Sequence, residues 1–333
     1  MKKDFLDSIR CPICKHSNLK LCQELVNFLE IREGKIICDT CKASFPIKNG
    51  VIFLDQNIGQ EALKERVALE KEIEKQNRLF DFYTKEWLLS FPFNQQLGID
   101  KRTDRIVKLS ATNSLMFLEK YNWLPETRIL ELGAGNCWLT AKLAENYKCV
   151  ALDILTAFPK GLESADIFIK QTGIFFERVV ADMKDLPFKD DSFDIVLINS
   201  ALHHSPDLEM TLKEIYRILS PAGKLILLNE PSVGWFGGGE RKKISQDRKH
   251  GINENRYTIQ EWITSFKEAG FKYKIYLPSN LLDVLQTKGT ILKLVSFLFK
   301  LTPLFLRRII INKLGPLFLT IFDGFFNTII YKN

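Results

Sequence analysis

The stretch Arg128-Ile-Leu-Glu-Leu-Gly-Ala-Gly-Asn-Cys-Trp138 decides the fold. Residues 128–132 form an apolar run of strand length, Gly133-Ala134-Gly135 makes a tight turn, and a helical pattern follows over 136–147. A buried strand, a glycine turn and a helix in that order open a parallel α/β sheet. Glycines let a ligand approach the backbone closely, and the N-terminus of the helix that follows favours negative charge.

Working outward, strands are predicted over 149–153, 177–182, 193–199, 224–229 and 271–276, with helices over 208–219 and 258–269, the latter closed by Gly270. Such alternation predicts a sheet covered by helices, with ligands bound at the carboxyl ends of its strands. Asp153 closes the second strand, where a carboxylate can accept the hydroxyls of a ribose. A dinucleotide would suit this much. Its fingerprint, however, asks for glycine at 138, where a tryptophan stands and would crowd the helix–strand packing.

Upstream, Cys11-Pro-Ile-Cys14 and Cys38-Asp-Thr-Cys41 are two CxxC pairs. Each can present two thiolates from one turn, and together they complete a closed tetrahedral zinc site with no open position for chemistry. Short strands are expected over 25–31, 35–37 and 45–54. The predicted domains are a zinc ribbon over 1–57, a helical linker over 58–100 and a catalytic domain over 101–333. Within the linker, 60–79 reads as a solvated helix, and the aromatic-rich 80–93 as a segment that packs on the next domain. Seven cysteines without a visible secretory signal argue against a disulfide framework and for a cytoplasmic protein.

Further motifs narrow the class. Val150-Ala-Leu-Asp153, Ala181-Asp182-Met183, Leu186-Pro187-Phe188, Phe193-Asp-Ile-Val196, His203-His204 and Glu214-Ile-Tyr-Arg-Ile-Leu-Ser-Pro-Ala-Gly223 follow Glu131-Leu-Gly-Ala-Gly135 in order. Over 128–276 the chain resembles class I methyltransferases dependent on S-adenosylmethionine (SAM), of the ubiquinone/menaquinone-biosynthesis type. The resemblance implies a Rossmann-like seven-stranded sheet with SAM as cofactor. Glu131, Gly133, Ala134 and Gly135 would surround its methionine end, Asp153 and Ile154 its ribose, and Asp182 and Met183 its adenine. Asn199 would lie near the cofactor carboxylate or the transferred methyl. One departure is Cys137, where the family usually has a third glycine. The ribbon resembles zinc-ribbon domains fused to, or partnered with, methyltransferases, including enzymes acting on RNA and on translation factors.

Methyl transfer needs alignment of the reacting atoms above all, and a base only where the acceptor loses a proton. His203 and His204 are candidates for that base, with capping of the following helix as the structural alternative.

The net charge of +7 is concentrated in two stretches, 234–256 and 281–322. The second falls within an apolar helical insertion over 278–324, before a last strand at 325–332. Its longest uncharged run is too short to span a bilayer. It reads as a lid, or as a surface giving peripheral membrane contact, with Lys293, Lys300 and Arg307 on one side. The leading expectation is O- or C-methylation of a small-molecule or lipid-linked acceptor. An RNA methyltransferase and a non-catalytic SAM-binding partner protein are the alternatives.

Overall fold

The computed structural model describes residues 1–27, 30–79, 84–93, 101–235, 251–278 and 324–332, with 280, 283, 297, 301–303 and 317–321. The basic residues at 241–249 and the cations at 293, 300 and 307 lie outside the described residues.

Four strands come first: β1 (Leu19–Val26), β2 (Ile31–Cys38), β3 (Ser44–Lys48) and β4 (Val51–Phe53). They form an antiparallel meander. The segment 25–31, expected as one strand, holds the end of β1 and the start of β2. Helices α1 (Gln60–Leu79), α2 (Lys85–Ser90) and α3 (Lys101–Leu118) follow. Helix α1 covers the predicted span but is not solvated all round. Ala62, Glu65 and Ile73 are buried on one side of it.

The catalytic part alternates β5 (Arg128–Leu132), α4 (Trp138–Leu143), β6 (Lys148–Asp153), α5 (Ala165–Thr172), β7 (Glu177–Val180), β8 (Phe193–Asn199), α6 (Leu208–Ile218) and β9 (Leu219–Ser232). Helix α7 (Ile259–Glu268), β10 (Phe271–Tyr276) and β11 (Gly324–Lys332) complete it. Helix α4 is half the expected length, because the amides of Asn146 and Tyr147 both return to the Leu143 carbonyl and end it in a turn. Strand β9 begins earlier than expected and carries an irregularity between its pairings at Leu219 and Lys224.

Local sequence explains the better-predicted helices. In α6, Leu208, Leu212, Ile215 and Ile218 recur at helical spacing and are buried, and the Asp207 carboxylate caps the Met210 amide at 2.9 Å. Helix α7 opens with a capping box between Thr258 and Glu261. It stops at Gly270, whose φ of +83° costs glycine little.

Strand order is β1-β2-β3-β4-β7-β6-β5-β8-β9-β11-β10, one sheet of eleven strands. The seven from β7 to β10 form the Rossmann-like sheet, with β11 inserted antiparallel between β9 and β10. The ribbon extends it: β4 runs parallel to β7, pairing Ile52 with Val179 and Phe53 with Val180. Ribbon residues Ile9, Ile36, Phe45 and Ile52 share a core with Phe188, Phe193, Leu212 and Trp262. The opposite face buries Phe117, Leu139, Leu143 and Ile169 from α3, α4 and α5. Of the insertion, residues 317–321 are helical. There Leu319 is buried and the Thr320 hydroxyl accepts from the Gln260 amide at 2.8 Å.

Candidate active site and metal centre

The four cysteines of the two CxxC pairs lie together. All four sulfur atoms of Cys11, Cys14, Cys38 and Cys41 lie within 4.8 Å of one another, with Cys11 to Cys41 at 3.6 Å and Cys14 to Cys38 at 3.5 Å. Zn–S bonds of about 2.3 Å in a tetrahedron set sulfurs about 3.8 Å apart, so the set fits zinc. Two matching turns create it. Lys15 and Lys42, each following its CxxC pair, adopt φ of +65° and +62°, and their amides return to the Cys11 and Cys38 carbonyls.

This centre touches the catalytic domain directly. Lys15 Nζ donates to the Asp185 carboxylate at 2.6 Å, and Asn57 donates to the same group. Ile9 bridges Phe188, flanked by the Arg10 amide donating to the Pro187 carbonyl at 3.0 Å and the Lys189 amide to the Ser8 carbonyl at 3.0 Å. Gly59 at the start of α1 donates its amide to Asp182 Oδ2 at 3.1 Å. The ribbon therefore holds the whole loop 182–189. Deeper in the junction, Arg178 is fully buried between ribbon and sheet. It donates to Glu30, to Asp166 at 3.0 Å and to the Gly50 carbonyl at 3.1 Å.

A cleft of about 290 Å³ opens at the carboxyl ends of β5, β6, β7 and β8. Gly133, Gly135, Asp153, Ile154, Asp182 and Met183 line it, and Ala62, Glu65 and Leu69 of α1 close one side. Gly133 needs its missing side chain twice. Its φ is +69°, and a β-carbon there would stand 2.4 Å from that of Ala201. Ala134 is buried beside it. Cys137 keeps the left-handed conformation that glycine would adopt, at φ +65°. Trp138 is half-buried against the core beneath α4 and meets Phe91 edge-on at 6.3 Å.

Asp153 accepts the Gly135 amide through one oxygen and the Leu155 amide through the other, each at 2.8 Å. Burial raises its carboxyl above the ordinary range. The Ile154 amide also bonds the carboxylate, which therefore sits in a nest of backbone donors at the cleft edge. Glu131 lies beneath the glycine turn rather than on the cleft wall and accepts from the Thr140 hydroxyl. Burial pushes its carboxyl up to about 8. Asn199 is likewise turned away. Its carboxamide oxygen accepts from Asn229 at 2.9 Å and from Ser114 at 3.2 Å, within a buried network that includes Asn113 and Asn327.

His203 and His204 sit in a 3₁₀ turn after β8, and sequence reading missed the three carboxylates around them. Glu230, buried at the end of β9, accepts the amides of Ala201 and Leu202 at 2.9 Å and faces His203 Nδ1 at 2.9 Å. Glu65 of α1 faces His204 Nδ1 at 2.8 Å. Glu254 Oε2 stands 3.6 Å from the Nε2 atom of each ring. Burial opposes charge on His203, but Glu230 and Glu254 outweigh it and hold the imidazolium up at about 9. Glu230 carried a sequence signal, an acid ending an apolar strand at the ligand edge of the sheet. Glu65 and Glu254 carried none, because only the tertiary fold brings them in.

Sheet and cleft together have the form of a Rossmann-like fold with an open site beside its glycine turn. Residues 130–227 match the methyltransferase domain family and residues 2–50 the Trm112p-like protein family. An uncharacterized protein of Methanocaldococcus jannaschii is 30% identical over 180 residues, covering 52% of this chain and 80% of that one. The ubiquinone/menaquinone biosynthesis C-methyltransferase UbiE of Rickettsia prowazekii is 28% identical over 167 residues, covering 46% of this chain and 64% of that one. Phosphoethanolamine N-methyltransferase 2 of Haemonchus contortus superposes with a TM-score of 0.49 at 16% identity, over 67% of this chain and 52% of that one. Several curated relatives are matched over less than two thirds of their own length. The chain belongs to the class I SAM-dependent methyltransferases and carries a Trm112-like, zinc-ribbon-type domain at its N-terminal end. Its cofactor is SAM, and its four-cysteine cluster is compatible with zinc.

Proposed function

We propose that this methyltransferase acts on an oxygen or carbon atom of a small, largely apolar acceptor. The observation that carries this reading is the cleft itself. Helix α1 closes its side with Ala62 and Leu69, and apolar residues and glycines make up the lining outside Glu65, Asp153, Lys160, Asp182, Ser200 and His204. Similarity to a quinone-pathway C-methyltransferase agrees with an apolar acceptor.

In this reading Gly133, Ala134 and Gly135 hold the methionine end of SAM, Asp153 and Ile154 the ribose, and Asp182 with Met183 the adenine. Glu131 supports the glycine turn from below through Thr140, and Asn199 fixes the end of β8 through Asn229 and Ser114. The bound sulfonium supplies an activated methyl, so the chain's own task is alignment and exclusion of water. In this reading His204, on the cleft wall beside Ala201, serves removal of the acceptor's proton, and His203, held as an imidazolium by Glu230 and Glu254, packs against its ring.

Among the described residues no helix is long and apolar enough to cross a membrane. The test is transfer of labelled methyl from SAM into extract fractionated into small-molecule, lipid and RNA pools. Label in the first two pools is expected. Label confined to RNA would replace this acceptor class with the RNA reading.

A further inference from the structure

We infer that His203, His204 and Glu254 form a second metal site, one that takes a divalent transition-metal ion and offers it to an oxygen of the acceptor. The inference rests on the cleft being the methyl-transfer site.

Three ligand atoms, one from each residue, lie within 4.8 Å of one another. The Nε2 atoms of both rings are 3.6 Å from Glu254 Oε2. That separation is too long for a hydrogen bond. It is close to the spacing of about 3.4 Å that two metal bonds of about 2.1 Å impose across a tetrahedral angle.

The surroundings are those of a ligand set. Each ring has its other nitrogen against a carboxylate: Glu230 on His203 at 2.9 Å and Glu65 on His204 at 2.8 Å. The Nδ1 atoms thus face carboxylates and the Nε2 atoms face Glu254, so a bound metal ion would take the place of the Nε2 proton that the His203 imidazolium carries. Carboxylates in that position orient metal-binding imidazoles and raise their basicity. Both carboxylates are themselves fixed, Glu230 by the Ala201 and Leu202 amides and Glu65 by the Asn253 carboxamide at 3.2 Å. Arg256 holds the opposite oxygen of Glu254 at 2.8 Å, which turns Oε2 toward the rings. Three carboxylates, Glu65, Glu230 and Glu254, surround the two imidazoles, with Arg256 on the outer oxygen of Glu254.

Two imidazoles and one carboxylate suit zinc or a neighbouring first-row ion better than magnesium or calcium. Three protein ligands leave a coordination position open, the pattern of a catalytic rather than a structural site. His204 and Glu65 line the cleft beside Ser200 and Ala201, so the open position faces the acceptor end. An acceptor hydroxyl bound there would lose its proton to water more readily. Its oxygen would then form the new bond to the methyl carbon as the carbon–sulfur bond breaks and the electron pair passes to sulfur.

The test is titration of the metal-free full-length chain with Co²⁺, followed by absorption spectroscopy and by metal-to-protein ratio after gel filtration. Two equivalents should bind. The four-thiolate site should give intense thiolate-to-cobalt charge transfer, and the second site only weak d–d bands. Glu254→Gln and His204→Ala should each lose the second equivalent and keep the first, together with the circular dichroism of the parent. A single equivalent in the parent chain, or a second equivalent that survives both substitutions, overturns the proposal. SAM binding by calorimetry on the same samples stands apart: retained affinity with no second metal refutes the metal site alone, whereas lost affinity counts against the reading of the cleft.

Discussion

Replacing Arg178 by Met would uncouple the ribbon from the catalytic sheet at a buried point. The guanidinium is fully buried and engages Glu30, Asp166 and the Gly50 carbonyl. Removing one partner of a buried pair costs about 3–5 kcal/mol, because the remaining charge stays desolvated. Arg32 moderates that cost. It still donates to Glu30 at 2.8 Å and to both oxygens of Asp166 at 2.6 and 2.7 Å. The expected loss therefore lies at the lower end, about 3 kcal/mol. Urea denaturation at saturating zinc, followed by tryptophan fluorescence, would measure it for the parent, Arg178→Met, Glu30→Gln and the double variant. The double variant should be less destabilised than the sum of the single ones by at least about 1 kcal/mol, as expected for residues in direct contact. A loss below about 1 kcal/mol for Arg178→Met, or simple additivity, would refute the view that this pair joins the two parts.

Other expectations follow from the same geometry. The folded protein keeps the Glu131 proton up to pH about 8, whereas the ordinary carboxyl value is 4.5. Between those values the folded state binds more protons, so this group lowers stability as pH rises, by up to about 1.4 kcal/mol per pH unit. Glu131→Gln should remove that slope from the pH dependence of unfolding, and an unchanged slope would contradict it. Gly133→Ala should destabilise the fold by about 1–3 kcal/mol and weaken SAM binding, since its β-carbon strikes Ala201 and its φ is left-handed. Full SAM affinity in calorimetry would count against this. Stripping zinc with a chelator should weaken SAM binding about tenfold, the equivalent of 1.4 kcal/mol, because Lys15 and Gly59 hold the loop carrying Asp182 and Asp185. Equal affinity with and without zinc would show that this loop keeps its shape alone.

The catalytic half of the fold was legible because its signals are local. β8 and β10 match their predicted spans, and Gly270 ends α7 where expected. The cysteine ligands were legible because each CxxC pair brings its own turn. What escaped notice depends on contacts distant in sequence. Helix α1 carries too few apolar residues to announce a buried side, yet its Glu65 meets His204 across the cleft. Asn199 sits where the motif puts it, but the direction of its side chain is set by Asn229 and Ser114 on other elements. Trp138 argued against a dinucleotide through crowding, and the ring is found packed against the core beneath α4 and against Phe91, a neighbour far off in sequence.

The pairing of β4 with β7 also bears on how the chain matures. Ile52 and its partner Val179 are separated by most of the first half of the molecule. Synthesis runs from the N-terminus, so the ribbon leaves the ribosome while β7 is still unmade. The edge strand β4 is therefore made before its partner, and the methyltransferase sheet closes onto a segment already synthesised when β7 arrives.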